Sequence, residues 1–214
     1  GNQNKLREIE RLSMSIGDTK VRLVGEVMPR YCYWVVTTEG KKMPVECLQF
    51  NRQTESFDNS AQDPFKEIDE AIFADKPQFS YVCNVIDRAD GKIKLFDLRS
   101  TIYSQIVDYA TNPDYGNPAG DDDGYDITIK KEKTGPLPQN VKYSCLPARN
   151  NSPLTVDEKA LELYDLSKIY KRQTYEEQKE WLLKNTSYFA GDVSDEFKAT
   201  EDVDDLAWKN PFQK

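Results

Sequence analysis

The chain contains no histidine anywhere in its 214 residues. Ser-His-Asp and Cys-His nucleophile systems are thereby excluded, as is any metal site built on imidazole. Cysteine is scarce. The four residues Cys32, Cys47, Cys83 and Cys145 are far apart, and no two have the C-x-x-C spacing of a zinc ribbon. Three of them fall inside apolar, strand-like runs, so they read as small core thiols and fit a reducing compartment. No metal or other cofactor is expected. Apolar residues make up only 38% of the chain, and no run approaches the roughly 18 residues a membrane span needs. No membrane partner is expected, and the polar opening GNQNKLREIERL lacks the pattern of a secretory signal.

Charge, by contrast, is abundant. Asp, Glu, Lys and Arg make up 31% of the residues and sum to −8. The distribution carries more information than the total. Residues 191–214 hold seven acids against three lysines, and residues 17–149 hold 21 acids against 17 bases. Within the latter span the acids gather in the loops 55–75 and 121–126, and the bases concentrate in Lys92–Arg99 and Lys130–Lys142.

Hydrophobic periodicity orders the rest. Lys20–Val27 alternates as a half-buried strand, with Gly25 placed for a bend. Tyr31–Thr38 and Met43–Phe50 form a hairpin with a basic tip. Asp63-Pro64 opens a short helix, with Asp as N-cap and Pro at the first position. Phe79–Ile86 and Lys92–Leu98 flank the turn dipeptide Asp90-Gly91. A helix capped by Ser100 runs to about Ala110. Strands at Tyr125–Lys133 and Val141–Leu146 follow. Capping boxes at Thr155 and Thr174 start helices running to about Tyr170 and Lys184. Residues 4–14 have the spacing of one or two helical turns.

This pattern predicts a mainly β protein: an OB-like, five-stranded Greek-key barrel with C-terminal helices. A mixed α+β sandwich fits nearly as well. The expected organisation is an N-terminal arm (1–16), the barrel (17–149), a helical extension packed on it (150–190) and an acidic, flexible tail (191–214).

Basic residues interleaved with aromatics are the strongest functional signal. Binding a single strand without sequence preference takes cations that track phosphates and flat rings on which bases stack. Candidates for phosphate contact are Arg22, Arg30, Lys41, Lys42, Arg88, Lys92, Lys94, Arg99, Lys130, Lys131, Lys133, Lys142 and Arg149. Candidates for stacking are Tyr31, Tyr33, Trp34, Tyr81, Phe96, Tyr103 and Tyr143. In the tail, Asp202, Asp204, Asp205, Leu206, Trp208 and Phe212 form an acidic-aromatic peptide suited to bind a partner protein. The acids Asp121, Asp122, Asp123 and Asp126 lack the spacing of a calcium loop and read as a solvated turn. No catalytic residues are assigned.

The runs SYVCNVID, GKIKLFDLRSTIYSQI and YDITIKKEKTG resemble the single-stranded DNA-binding proteins of T-even-like tailed phages. The matching positions are Ser80, Tyr81, Asn84, Gly91, Lys92, Ile102, Tyr103, Ile106, Lys130 and Gly135. The resemblance implies an OB-fold whose cleft binds single-stranded DNA cooperatively and without sequence preference. It implies action in phage DNA replication, recombination and repair, in the cytoplasm of the infected bacterial host. It also implies self-association along DNA through the N-terminal arm, and an acidic C-terminus that recruits replication and recombination proteins. Two features depart from the family. Residues 47–79 carry no His/Cys zinc subdomain, and the segment before the helix, Asp97-Leu98-Arg99-Ser100-Thr101, has a single positive charge. The alternative from composition is an acidic phage protein that binds a host or phage replication or transcription protein through barrel and tail.

Overall fold

A computed structural model describes residues 7–69, 72, 73 and 75–189. In chain order the strands are β1 (Gly17–Val36), β2 (Lys42–Glu46), β3 (Phe50–Asn51), β4 (Ser56–Phe57), β5 (Gln78–Asp87), β6 (Ile93–Leu98), β7 (Ile127–Lys133) and β8 (Val141–Pro147). The helices are α1 (Ser100–Ala110), α2 (Val156–Lys159), α3 (Leu166–Ile169) and α4 (Tyr175–Asn185), with a 3-10 turn at Pro64–Glu67. Two compact units result: residues 1–28 with 80–166, and residues 29–79 with 167 onward. This division does not follow the expected 17–149 span, because residues 29–79 group with the last helical residues.

The first unit holds the barrel. Its sheet runs β6-β5-β1-β7-β8, with α1 between β6 and β7 in the chain. That is a three-strand meander, a helix, and a hairpin returning to the other edge of β1, which is the strand order of an OB-type barrel. The fold is mainly β, as expected, and compatible with an OB-like barrel with added helices. In place of a simple loop between its first two strands, the chain inserts residues 29–79. Side chains alternate along each strand. Val21 and Leu23 of β1, Cys83 and Val85 of β5, Phe96 and Leu98 of β6, Ile127 and Ile129 of β7, and Cys145 of β8 close on Ile102 and Ile106 of α1.

The alternate residues, which face away from that core, are also buried: Arg22, Val24, Val82, Asn84 and Ile86. Asn84 is covered by the extension. Its side chain donates to the carbonyl of Tyr164 at 3.1 Å and accepts from the Tyr164 N–H at 2.9 Å. Gly25 turns the strand at φ +73°, and Leu163 lies 3.3 Å from where a Cβ would stand. Residues 7–16 are not helical turns. Leu12 N–H donates to Leu95 O and Leu95 N–H to Glu10 O, so the chain lies extended against β6 in a parallel bridge at Arg11. An edge strand offers unpaired N–H and C=O groups, and pairing them outweighs a helix too short to be stable alone. The Tyr164 hydroxyl donates to Glu8 O and accepts from the Glu10 N–H, fastening the same segment.

Arg22 was expected to reach phosphates, but it is fully buried. Its guanidinium donates to the carbonyls of Pro118 (2.5 Å), Gly120 (2.7 Å), Leu23 (3.2 Å) and Ser152 (3.2 Å). Asp126 and Glu158 attract it, but burial dominates and lowers its pKa. A Cβ at Gly124 would stand 2.2 Å from an Arg22 nitrogen, so the loop needs glycine there.

The second unit has its own core. The second half of β1 pairs with β2 in the register Tyr33↔Val45. Tyr33, Val35, Met43, Val45, Phe50 and Phe65 pack with Trp181 and Leu182 of α4 and with Phe189. Asp63 caps the 3-10 turn as expected, but the helix ends at Glu67. Both capping boxes form; the Thr155 one starts only the four-residue α2, followed by a separate α3, whereas the Thr174 one starts the full α4.

Arg22→Ala would leave several buried carbonyls without a donor, at about 1–3 kcal/mol each in part compensated by water entry. The expected outcome is a loss of at least about 3 kcal/mol in denaturant unfolding, with no rescue by Arg22→Lys, whose ammonium lacks the fork. A variant as stable as the parent would overturn this role.

Candidate nucleic-acid interface

The β7–β8 hairpin carries two residues of β7, Glu132 and Lys133, beyond the pairing with β1, which ends at Gly17↔Lys131. Its register is Ile129↔Cys145, Lys131↔Tyr143 and Lys133↔Val141. Directly opposed residues share a face, so Lys131, Tyr143 and Lys133 continue the core face of Ile129 and Cys145 toward the end of the hairpin, with Lys131 still paired to Gly17 of β1. Lys130 and Lys142 point to the other face, with Glu132, which pairs with Lys130 at 3.1 Å.

Helix α1 anchors this overhang. Gln105 donates to Tyr143 O at 3.0 Å and accepts from Cys145 N–H at 2.8 Å. At the start of α1 the N-cap is Arg99, not the expected Ser100, and its side chain makes no capping hydrogen bond. Its guanidinium instead lies 5.6 Å from the centre of the Tyr143 ring, and Lys131 Nζ lies 5.9 Å from the same ring. Lys131 Nζ also donates to Met14 O at 3.3 Å. Tyr81 of β5 and Tyr103 of α1 stack face to face with centroids 3.5 Å apart and planes 8° apart. Both, with Tyr143, pack against the edge of the core while remaining partly exposed. The structure therefore gathers Tyr81, Tyr103, Tyr143, Arg99, Lys131 and Lys133 at one end of the barrel. Lys130 and Lys142 stand on the hairpin's outer side. The assembly offers rings beside cations, the combination that single strands require.

The other candidates are placed differently. Phe96 is in the core and 2% exposed. Arg88 and Lys94 are structural. Arg88 bonds Asp126 at 3.0 Å and also Glu158. Burial opposes its charge, but the bonds to Glu158 and Asp126 raise its pKa above the ordinary value. Lys94 is held by Asp87 at 2.7 Å and by Asp90 at 2.8 Å, and these bonds raise its pKa. Both cations already carry carboxylate partners and are largely shielded. Lys92 is exposed, with Glu10 at 3.8 Å, and Arg149 is exposed.

In the second unit Arg30 is 2% exposed, lying 4.6 Å over the Tyr170 ring and donating to Cys32 Sγ. Tyr33 stacks on Phe65 at 4.0 Å and is buried. These two, like Arg22 and Phe96, are buried parts of the fold, and Arg88 and Lys94 are engaged in ion pairs while remaining partly exposed. Trp34 is half-buried beneath Lys42, which pairs with Asp75, and Lys41 pairs with Glu39 at 3.5 Å. Tyr31 belongs to an aromatic group with Phe50, Phe57 and Phe79, of which Phe57 and Phe79 are exposed. Neither exposed ring is singled out from the sequence; Phe57 has only Glu55 and Asn59 at alternate spacing, whereas Phe79 opens the apolar alternation Tyr81, Cys83, Val85 and so reads as core. Asp202, Asp204, Asp205, Leu206, Trp208 and Phe212 lie outside the described residues.

Among the described residues, no group of three or more His, Cys, Asp or Glu is placed to hold a metal ion, and no helix is long and apolar enough to cross a membrane. The Cys47 and Cys145 thiols are pushed up to about 11 by burial, followed for Cys47 by the charge of Asp63.

The site is thus a cationic, aromatic end on an OB-like barrel. No family model matches the chain. It is similar to a protein of Escherichia phage T5 named probable ssDNA-binding protein, with 36% identity over 137 residues. The match covers 60% of this chain and 51% of the relative, so the chain spans about half the length of the protein it matches. That likeness is to a phage protein named for single-stranded DNA and does not single out the T-even type.

The Arg88 pairs carry a pH dependence. Burial opposes the Glu158 charge, but the Thr155 N–H and Arg88 hold its pKa below the ordinary value. A depressed carboxylate contributes stability in full above its unfolded pKa, about 4.3, and loses it as pH falls through the folded value. Glu158→Gln should therefore flatten the fall of melting temperature below pH ~4.3 relative to the parent. Parallel curves through that range would contradict the assignment.

Proposed function

We propose that the protein binds single-stranded DNA without sequence preference at the barrel end formed by Arg99, Lys131, Lys133, Tyr81, Tyr103 and Tyr143. The observation that carries this reading is the β7–β8 overhang, which places lysines and a tyrosine on one face above Arg99. The name of the T5 relative supports the same ligand. Phosphates meet the cations, and bases find rings at the core's edge. Binding of this kind needs no chemical step, so the protein acts as a binder rather than an enzyme.

By the same reading it coats and protects single strands during phage DNA replication, recombination and repair, in the cytoplasm of the infected host. The acidic-aromatic residues Asp202–Phe212 recruit replication and recombination proteins, and the N-terminal residues support self-association along DNA. The kinship with the T-even type proteins belongs to this proposal. Its support is the set of matching positions from Ser80 to Gly135.

Titration with oligo-dT should quench Tyr and Trp fluorescence, with affinity falling as salt rises. Arg99→Ala and Lys131→Ala should each weaken binding and reduce the slope of log affinity against log salt by about 0.7. Tyr143→Ala should cost about 1–3 kcal/mol with the slope unchanged. Unchanged fluorescence and no gel shift at low salt would reject the reading and favour a protein-interaction role.

A further inference from the structure

The loop joining β7 to β8, residues 134–140 (TGPLPQN), is braced. Thr134 N–H donates to Asn140 O at 2.9 Å, and Asn140 N–H donates to Leu137 O at 3.0 Å. The Asn140 side chain accepts from Leu137 N–H at 3.1 Å. Gly135 lies against that side chain: a Cβ there would stand 2.6 Å from Asn140 Oδ1. Pro136 and Pro138 restrict φ on either side of Leu137. The brace holds an apolar side chain in water, since Leu137 is 51% exposed. Burial does not explain it, because it contributes nothing to the core.

Its surroundings are cationic. Lys133 Nζ donates to the Leu137 carbonyl at 3.0 Å, and Lys142 is exposed at the start of the returning strand. Lys130 and Lys131 follow along the hairpin, and Glu132, paired with Lys130, is the acid among them. A fixed apolar tip within a collar of positive charge is complementary to a polyanion that also presents apolar faces. Stacked bases on a phosphate backbone meet that description. An apolar side chain can enter a base step and unstack it.

We propose that Leu137 is a wedge that inserts between neighbouring bases of a strand held at the overhang and separates them. The inference rests on the single-strand reading given above and adds a residue and a physical effect to it. Lysine collar and leucine tip divide the work: the first holds phosphates, the second breaks stacking.

The test uses the full chain and an oligo-dA strand carrying a 2-aminopurine, whose fluorescence rises when it is unstacked. The parent should raise the signal at saturation. Leu137→Ser should bind roughly tenfold more weakly, with the salt slope unchanged, and give a smaller rise at saturation. Leu137→Met should keep both properties, since it preserves an apolar side chain. Matching melting temperatures would establish that both variants fold. Equal affinity and equal fluorescence for Leu137→Ser would overturn the wedge and leave the single-strand reading intact. So would a Leu137→Met variant as impaired as Leu137→Ser. A parent that fails to bind would overturn both.

Discussion

An ionised guanidinium with no access to water needs acceptors, and Arg22 shapes the first unit through the four carbonyls that its two terminal nitrogens reach, while its Nε–H finds none. Its nitrogens bond the carbonyls of Pro118 and Gly120 from the loop before β7 and of Ser152 from the chain after β8. Those segments are brought over the outer side of β1, and Gly124 is required so that the loop can come that close. Leaving such a charge unsatisfied costs far more than ordering a loop. Arg22 thus ties the polar, glycine-rich stretch from Asn112 to Gly124 to β1, adding to that stretch's own turn hydrogen bonds and to the packing of Ala119 on the core.

The same wrapping decides where a ligand has room. The outward side of β5 is covered at Asn84 by Tyr164, and Tyr164 in turn fixes residues 8–10. The edge of β6 is occupied by residues 10–12. OB-type proteins commonly use the face of their second and third strands, here β5 and β6. In this unit the outer alternates of β5 are committed to packing. The proposed binding site therefore lies at the barrel end, where the last residues of the β7–β8 hairpin extend beyond β1.

The strands, the mid-chain helix and both capping boxes were legible because each rests on local chemistry: alternation, turn glycines, and Thr-x-x-Glu spacing. The arm was not. Ile9 and Leu12 have helical spacing, but the open edge of β6 is a tertiary fact that periodicity cannot express. Arg22 and Arg30 misled for a related reason. Alternation assigns them to solvent, and only the folded chain reveals carbonyls, or the Tyr170 ring, waiting there. Tyr33 and Phe96 followed the common behaviour of rings in strands, which is to pack. The hairpin residues were legible as a cluster, Lys130 to Tyr143, but not by face. Which lysines share a side with Tyr143 depends on the register, and that depends on the loop length between β7 and β8.

Register also resolves the apparent conflict between a net charge of −8 and an anionic ligand. Charges act over roughly a Debye length, about 8 Å at physiological salt, so a strand responds to the field at the barrel end and not to the chain's total. Acids near that end include Asp97, bonded by Ser80, Glu132, paired with Lys130, and Asp18, which stands opposite Lys130 in the β1–β7 register. Elsewhere Asp87, Asp90, Asp126 and Glu158 are spent on Lys94 and Arg88, the two cations that might otherwise have extended the site. Those four acids outnumber the two cations they hold, so that flank keeps net negative charge while its cations are tied up. At the barrel end, among the described residues, Lys131, Lys133 and Arg99 meet carbonyls and the Tyr143 ring rather than carboxylates. Had the hairpin slipped by one residue against β1, Glu132 and Lys142 would face Arg99 instead, and Tyr143 would turn away from Arg99 together with Lys131 and Lys133.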